Sequence, residues 1–221
     1  MGSTRNTGPG NGEAGSGFPQ GTGGFVRRMR LDFRFSERPP DSLWCEAVVV
    51  FVFQRRFLTL GLLSGLDAKM GGLLGRLEKA GFWTGTLQED LLLASQGGIK
   101  AEKILLCGLG PSAGCEFPCV AGQVERVGEV LEKMHLSDLA VHIPMLEGEE
   151  TDYSSHLEQS AERLAAPFLR AHHGSPDYLL KVVFSMERIF DESLFPVAER
   201  LRDRFGREFD ISVVIERDKG A

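Results

Sequence analysis

A chain of 221 residues with a formal net charge of −6 and a pI near 5.5 has no overall positive field, which argues against nucleic acid as its main partner. Its 42% hydrophobic and 25% charged residues are the composition of a soluble globular protein with one main domain. The longest apolar stretch, Ala47 to Phe53, is far short of the ~20 residues that a membrane-spanning helix needs, so no transmembrane segment is expected. Four cysteines, Cys45, Cys107, Cys115 and Cys119, in a chain large enough to fold without staples fit a reducing cytoplasm.

Residues 1–28 hold nine of the 27 glycines and almost no apolar periodicity. They bury too little apolar surface to offset the entropy of ordering, and the segment is expected to be disordered. It contains no apolar core of a secretory signal, and Asn6 stands where a myristoylation pattern wants Ser or Thr. The switch to strand-like alternation at "FVRRMRLDFRF" makes Met29 a candidate true start.

From Met29 onward the periodicity changes type repeatedly. "RLDFRF" (30–35) puts Leu31, Phe33 and Phe35 on one face, and "CEAVVVFVF" (45–53) is an apolar run of strand length, as for a strand covered on both faces. A short strand is expected at 57–60. Leu62, Leu66, Met70, Leu73, Leu74 and Leu77 then fall at helical spacing, with Gly81 as the stop. Strands follow at 90–95 and 102–108. Val120, Val124, Val127, Leu131 and Met134 stripe a helix opened by Pro118. A strand at 138–145, a long helix from about 152 to 171 and a strand at 178–186 come next. Asp191 is read as the cap of the following helix, with Phe190 and Phe195 placed for a hydrophobic staple, and "FDISVVIE" (209–216) as the last strand. Such interleaving predicts an α/β sandwich, a largely parallel sheet with helices on both faces and antiparallel members allowed near its ends.

The stretch "KILLCGLGPSAG" (103–114) carries the sharpest question about function. Gly108, Gly110 and Ala113 match a permissive G-x-G-x-x-[GA] between a strand and a helix, where backbone N–H groups can face an anion. Against a dinucleotide site, Pro111 removes a donor, the helix starts only after "CEFP", and no acidic residue stands at the ribose-binding distance. A plain strand-to-helix turn and another kind of phosphate loop both stay open. Cys115-x3-Cys119, with Cys107 nearby, lacks the second ligand pair of a structural zinc site. His142 reads as a packed strand histidine, and His172-His173 as a helix carboxyl end. "GGLLG" (71–75) places glycines where a helix interior would lose about 1 kcal/mol per residue, so either close packing or backbone approach to a ligand must compensate. "LEGEETD" (146–152) suits a solvated helix start better than a metal site. No nucleophile elbow, Walker A loop or H-E-x-x-H occurs.

"AVVVFVF", followed by "FLTLGLLSGLDAKMGGLLGRLEKAGFWTGTLQEDLLLASQGGIKAEKILLCGLGP", resembles the N-terminal domain of the leucyl (M17, cytosol-type) aminopeptidases over about residues 29–145. The resemblance implies a three-layer α/β/α sandwich with a mixed sheet like that of macro domains, many of which bind ADP-ribose. It implies an accessory domain at 29–221 after the glycine-rich 1–28 segment. The two-metal peptidase site of the family belongs to a separate domain, and no "NTDAEGR"-like stretch appears here. The expectation is therefore a stand-alone, non-catalytic module with no catalytic residue, metal or cofactor carried over, homo-oligomeric or paired with a peptidase-family partner. The alternative is a binder or hydrolase of an ADP-ribose-like nucleotide, with Gly108, Gly110 and Gly114 in the phosphate loop and Gly71 and Gly72 as further backbone donors. A bulky side chain such as Phe117 or Trp83 filling the cleft beside Gly108 would make the glycine turn a connector.

Overall fold

The computed structural model describes residues 28–54, 61–186 and 191–216. The expectations for the N-terminal segment before residue 28, for the strand at 57–60 and for a staple through Phe190 lie outside those residues. Arg30–Ser36 (β1) is followed by a 3-10 turn and Ala47–Phe53 (β2), and then by two short helices, Gly61–Lys69 (α1) and Leu73–Lys79 (α2). Asp90–Ala94 (β3) and Lys103–Gly110 (β4) lead to Phe117–Lys133 (α3), Asp138–His142 (β5) and Tyr153–His172 (α4). Leu179–Ser185 (β6), Asp191–Phe205 (α5) and Asp210–Glu216 (β7) complete the order.

The single helix expected over 62–77 is two helices. Gly71 and Gly72 take φ of +63° and +74°, a left-handed pair that ends α1 and reverses into α2. The glycines the sequence placed inside a helix therefore sit between two. The apolar stripe survives the break, because Leu63 and Leu66 from α1 and Leu74 from α2 enter one core with Trp83.

The strands form one seven-stranded sheet in the order β3-β4-β2-β5-β6-β1-β7. Every neighbouring pair is parallel except β3 with β4, which is antiparallel and lies at one edge. Alternation along β2 explains its near-continuous apolar sequence. Ala47, Val49 and Phe51 face α3, α4 and α5, while Val48, Val50 and Val52 face the layer of α1 and α2. Towards the other end of the sheet the second core thins out, with Val183 of β6 the last strand residue in it. Leu31, Phe33 and Phe35 of β1 and Leu180, Val182 and Phe184 of β6 enter the larger core. Several of their alternates carry charge: Arg34 bonds Asp32 and Glu216 at 2.8 and 3.0 Å, and Lys181 pairs with Asp138 at 2.9 Å.

The winding of the sheet reverses around strand β2. From β2 the chain passes along the α1 and α2 face and through the antiparallel edge strand β3 to β4 on one side, and from β4 it returns through α3 on the opposite face to β5 on the other side. Where successive crossovers leave one strand in opposite directions, the loops beyond the carboxyl ends diverge and a crevice opens.

Candidate functional site: a cleft at the carboxyl ends of the central strands

A cleft of about 560 Å³ lies at that switch point. Its walls come from the end of β2 (Phe53), from the loop after β4 (Ser112 to Glu116), and from the end of β5 with its following loop (His142, Pro144 to Glu147, Glu149). The α3 helix starts at this loop. Its cap position, Glu116, makes no side-chain capping bond, and Pro118 occupies the first turn, so the amide ends of the helix are not covered by a side chain.

The structure brings one of the five glycines singled out in the sequence, Gly114, into this lining. Gly108 and Gly110 serve a different neighbour. The Gly108 amide donates to the Glu89 carbonyl at 2.9 Å, its carbonyl accepts from Gln88 at 3.1 Å, and the Gly110 amide donates to Gly85 at 3.0 Å. A Cβ on Gly108 would lie 2.0 Å from the Thr86 carbonyl oxygen, so only glycine admits the 84–89 segment this close. Glu89 organises that segment: its carboxylate accepts from the amides of Thr84 and Thr86 and from the Thr84 hydroxyl. Burial pushes the Glu89 pKa up, but these donors outweigh it and hold the group below the usual carboxylate value. Gly71 and Gly72 are likewise engaged, their amides donating to Ala68 and Asp67 at 3.2 and 2.8 Å.

Neither Phe117 nor Trp83 fills the cleft. Trp83 is buried in the α1 and α2 layer and donates its ring N–H to the Glu89 carbonyl at 3.2 Å. Phe117 is buried and stacks on His156 with ring centroids 3.9 Å apart and planes 4° from parallel.

His142 is packed, as its strand position suggested, and is also part of the lining. Its Nδ1 lies 3.1 Å from the Ser185 carbonyl. A carbonyl only accepts, so Nδ1 carries the proton and the ring is held in one orientation. Deeper in, His156 is 6% exposed, with Nε2 3.4 Å from a Glu149 carboxylate oxygen and Nδ1 without a hydrogen-bond partner among the described residues. Burial holds the His156 pKa below 6.5 against the opposing pull of Glu149 and Asp152. Glu149 thus links the cleft wall to a buried ring.

The four cysteines are free thiols. Cys45 and Cys107 are buried, whereas Cys115 lines the cleft and Cys119 is exposed. Burial, and then a hydrogen bond to the Cys119 thiol, push the Cys115 thiol up to about 12. Among the described residues no group of three or more His, Cys, Asp and Glu side chains is arranged to hold a metal ion, and no helix is long and apolar enough to cross a membrane. His172 and His173 sit at the end of α4, beside Glu132 at 3.4 Å and Glu208 at 3.5 Å, remote from the cleft lining.

Phe53, Ser112, Met145 and Leu146 were not singled out by sequence. They come from three segments that meet only because β4, β2 and β5 are adjacent and parallel. Given that strand order, the residues just beyond each carboxyl end are the signal that finds them.

A mixed seven-stranded sheet between helices, with a cleft beyond the carboxyl ends of its central strands, defines an α/β/α sandwich of the macrodomain type. The model of the cytosol aminopeptidase family, N-terminal domain, matches residues 49–169, more than half of the chain, and the chain belongs to that family. A tomato leucine aminopeptidase mutant superimposes with a TM-score of 0.57 at 12% identity, over 78% of this chain and 36% of that one. The Trypanosoma brucei macrodomain in complex with ADP-ribose gives a TM-score of 0.52 at 18% identity, over 76% and 67%. A mutant of the Oceanobacillus iheyensis macrodomain gives 0.57 at 11%, over 78% and 92%. The chain therefore spans about a third of the aminopeptidase it resembles. At these identities the likeness is one of fold. A comparison with curated protein sequences returns no match.

Proposed function

We propose that this chain is a non-catalytic, macro-like binding module whose ligand or partner group enters the cleft beside β2. The observation that carries this reading is the cleft itself, about 560 Å³ at the topological switch point and open to the start of α3. The module works as a homo-oligomer or with a peptidase-family partner. The assay for the non-catalytic part is release of product from leucine amide with added Mn²⁺ or Zn²⁺. No turnover is expected, and turnover that tracks the purified protein would overturn it.

A second reading, an ADP-ribose-like ligand, draws on the macrodomains of similar fold whose structures hold ADP or ADP-ribose. Charge weighs against it as the leading reading. Glu116, Glu147 and Glu149 line the cleft, and no Lys or Arg does so among the described residues. A carboxylate about 6 Å from a phosphate costs roughly 2–3 kcal/mol at an effective dielectric of ~20, whereas a helix amino end returns about 0.3–1 kcal/mol. Thermal denaturation with ADP-ribose decides the matter. At a hundred times the dissociation constant, binding stabilises the folded state by about 2.7 kcal/mol, which is roughly 5–10 °C for a domain of this size. An unchanged melting temperature at millimolar ADP-ribose removes the nucleotide reading and leaves the module.

A further inference from the structure

The amino ends of β2 and β4 border a second depression of about 560 Å³, which shares no lining residue with the cleft. Three segments meet there: the turn of Asp41 and Trp44 before β2, the end of α1 at Lys69, and the turn from Gly97 to Lys100 between β3 and β4. Their packing fixes its shape. The Arg38 guanidinium donates to the Ser42 carbonyl at 3.0 Å, and the Ser42 amide donates to the Pro39 carbonyl at 2.9 Å. Gly98 lies so close to the end of α1 that a Cβ on it would stand 2.7 Å from the Lys69 carbonyl oxygen, and Ile99 is anchored in the smaller core.

Asp41 is 8% exposed: its Oδ2 takes the Lys69 ammonium at 2.6 Å, and its Oδ1 has no hydrogen-bond partner among the described residues. A buried carboxylate oxygen without a donor is costly, so the position calls for an O–H or N–H from whatever enters. Trp44 is 72% exposed, with the Lys100 ammonium 5.9 Å from its ring centre. Because Lys69 balances Asp41, Lys100 leaves the depression one positive charge in excess. That excess repels a cationic guest and favours an acidic one. A hydroxyl donor, acceptors for ammonium groups and a flat apolar face together describe a pyranose, with C–H bonds on its face and hydroxyls around its edge.

We propose that the depression beside Trp44 binds a hexose bearing a phosphate or carboxylate. The sugar ring lies on the indole, one hydroxyl donates to Asp41 Oδ1, and Lys100 swings from the indole to the acidic group. This is independent of what the cleft takes, since the two share no residue.

The test is calorimetric titration of the full chain with the monophosphates of glucose, galactose and mannose and with glucuronate, read in parallel by tryptophan emission. The chain has two tryptophans and Trp83 is buried, so a change in emission reports on Trp44. At least one of the four should bind with a dissociation constant below about 1 mM, and its uncharged parent hexose should bind about three- to tenfold more weakly. Lys100→Ala should remove that difference. Trp44→Ala and Asp41→Asn should each weaken binding about tenfold or more, and because Trp44 is exposed its variant keeps the test open should Asp41→Asn fold poorly. Absence of binding by all four at about 20 mM, far above that constant, would overturn the proposal. So would inorganic phosphate or adenosine monophosphate binding as tightly as the best sugar, or an affinity that Trp44→Ala leaves unchanged.

Discussion

Gly108→Ala puts a methyl group where the structure has a carbonyl. The new Cβ would lie 2.0 Å from the Thr86 oxygen and 2.8 and 2.9 Å from the carbonyl carbon and oxygen of Gly85, all of them backbone atoms. No side-chain rotation relieves this, so the 84–89 segment must withdraw from β4. Overpacking of this kind costs about 1–3 kcal/mol. Withdrawal also weakens the bonds from Gly108 to Glu89, from Gln88 to Gly108 and from Gly110 to Gly85, at about 0.5–1.5 kcal/mol each. With part of each bond surviving, the expected loss is about 3–5 kcal/mol, a third or more of the stability of an ordinary domain. Urea denaturation reads this as a midpoint lowered by roughly 1.5–2.5 M at a slope of about 2 kcal/mol/M. Gly114→Ala is the control: its site is open, and only a left-handed φ of +73° opposes the methyl, at about 1–2 kcal/mol. A Gly108→Ala loss below about 1 kcal/mol, or no larger than that of Gly114→Ala, would refute the reasoning that Gly108 is present to admit the neighbouring segment.

Glu46→Ala removes a carboxylate that accepts from the amides of Ser137 and Asp138 at 2.7 and 2.9 Å, where the chain enters β5; two charge-assisted bonds predict a loss of about 2 kcal/mol in chemical denaturation. His156 ionises less readily folded than its ordinary value of 6.5, so the unfolded chain binds the extra proton first as pH falls. Its contribution is thus intact above pH 6.5 and lost progressively below it, and His156→Phe, which keeps the stack on Phe117, should flatten that part of the melting-temperature profile. Glu147 lines the cleft but is exposed, so water screens it to about half the charge penalty worked above, and Glu147→Gln should tighten any ADP-ribose binding about five- to tenfold by calorimetric titration; an unchanged constant would mean that the diphosphate lies elsewhere.

The sheet was legible in the sequence because each strand has a burial pattern of its own. Leu31, Phe33 and Phe35 alternate with polar residues because one face of β1 is open, and Val48 to Val52 run unbroken because β2 is covered twice. The antiparallel edge strand β3 fits the expectation of antiparallel members near the sheet ends. Helical periodicity failed at Gly71 and Gly72, since the apolar spacing carries on across two left-handed residues that stop the helix. The glycine motif at 108–110 was ambiguous for a physical reason. A turn that cradles an anion and a strand that lets another segment approach both require the absence of a Cβ, and only the position of Thr86 separates them. Of the five candidate glycines Gly114 alone marked the cleft, because Phe53, His142 and Met145 become neighbours through strand order and not through spacing along the chain.

The row of Asp32, Arg34 and Glu216 on the open face of β1 and β7 has a consequence for association. Greasy surfaces attract any comparable surface, but a ladder of opposed ions already satisfied within one molecule rewards only a visitor able to replace those bonds. That flank is therefore selective against chance stacking of sheets, and its choosiness should weaken as salt screens the ladder.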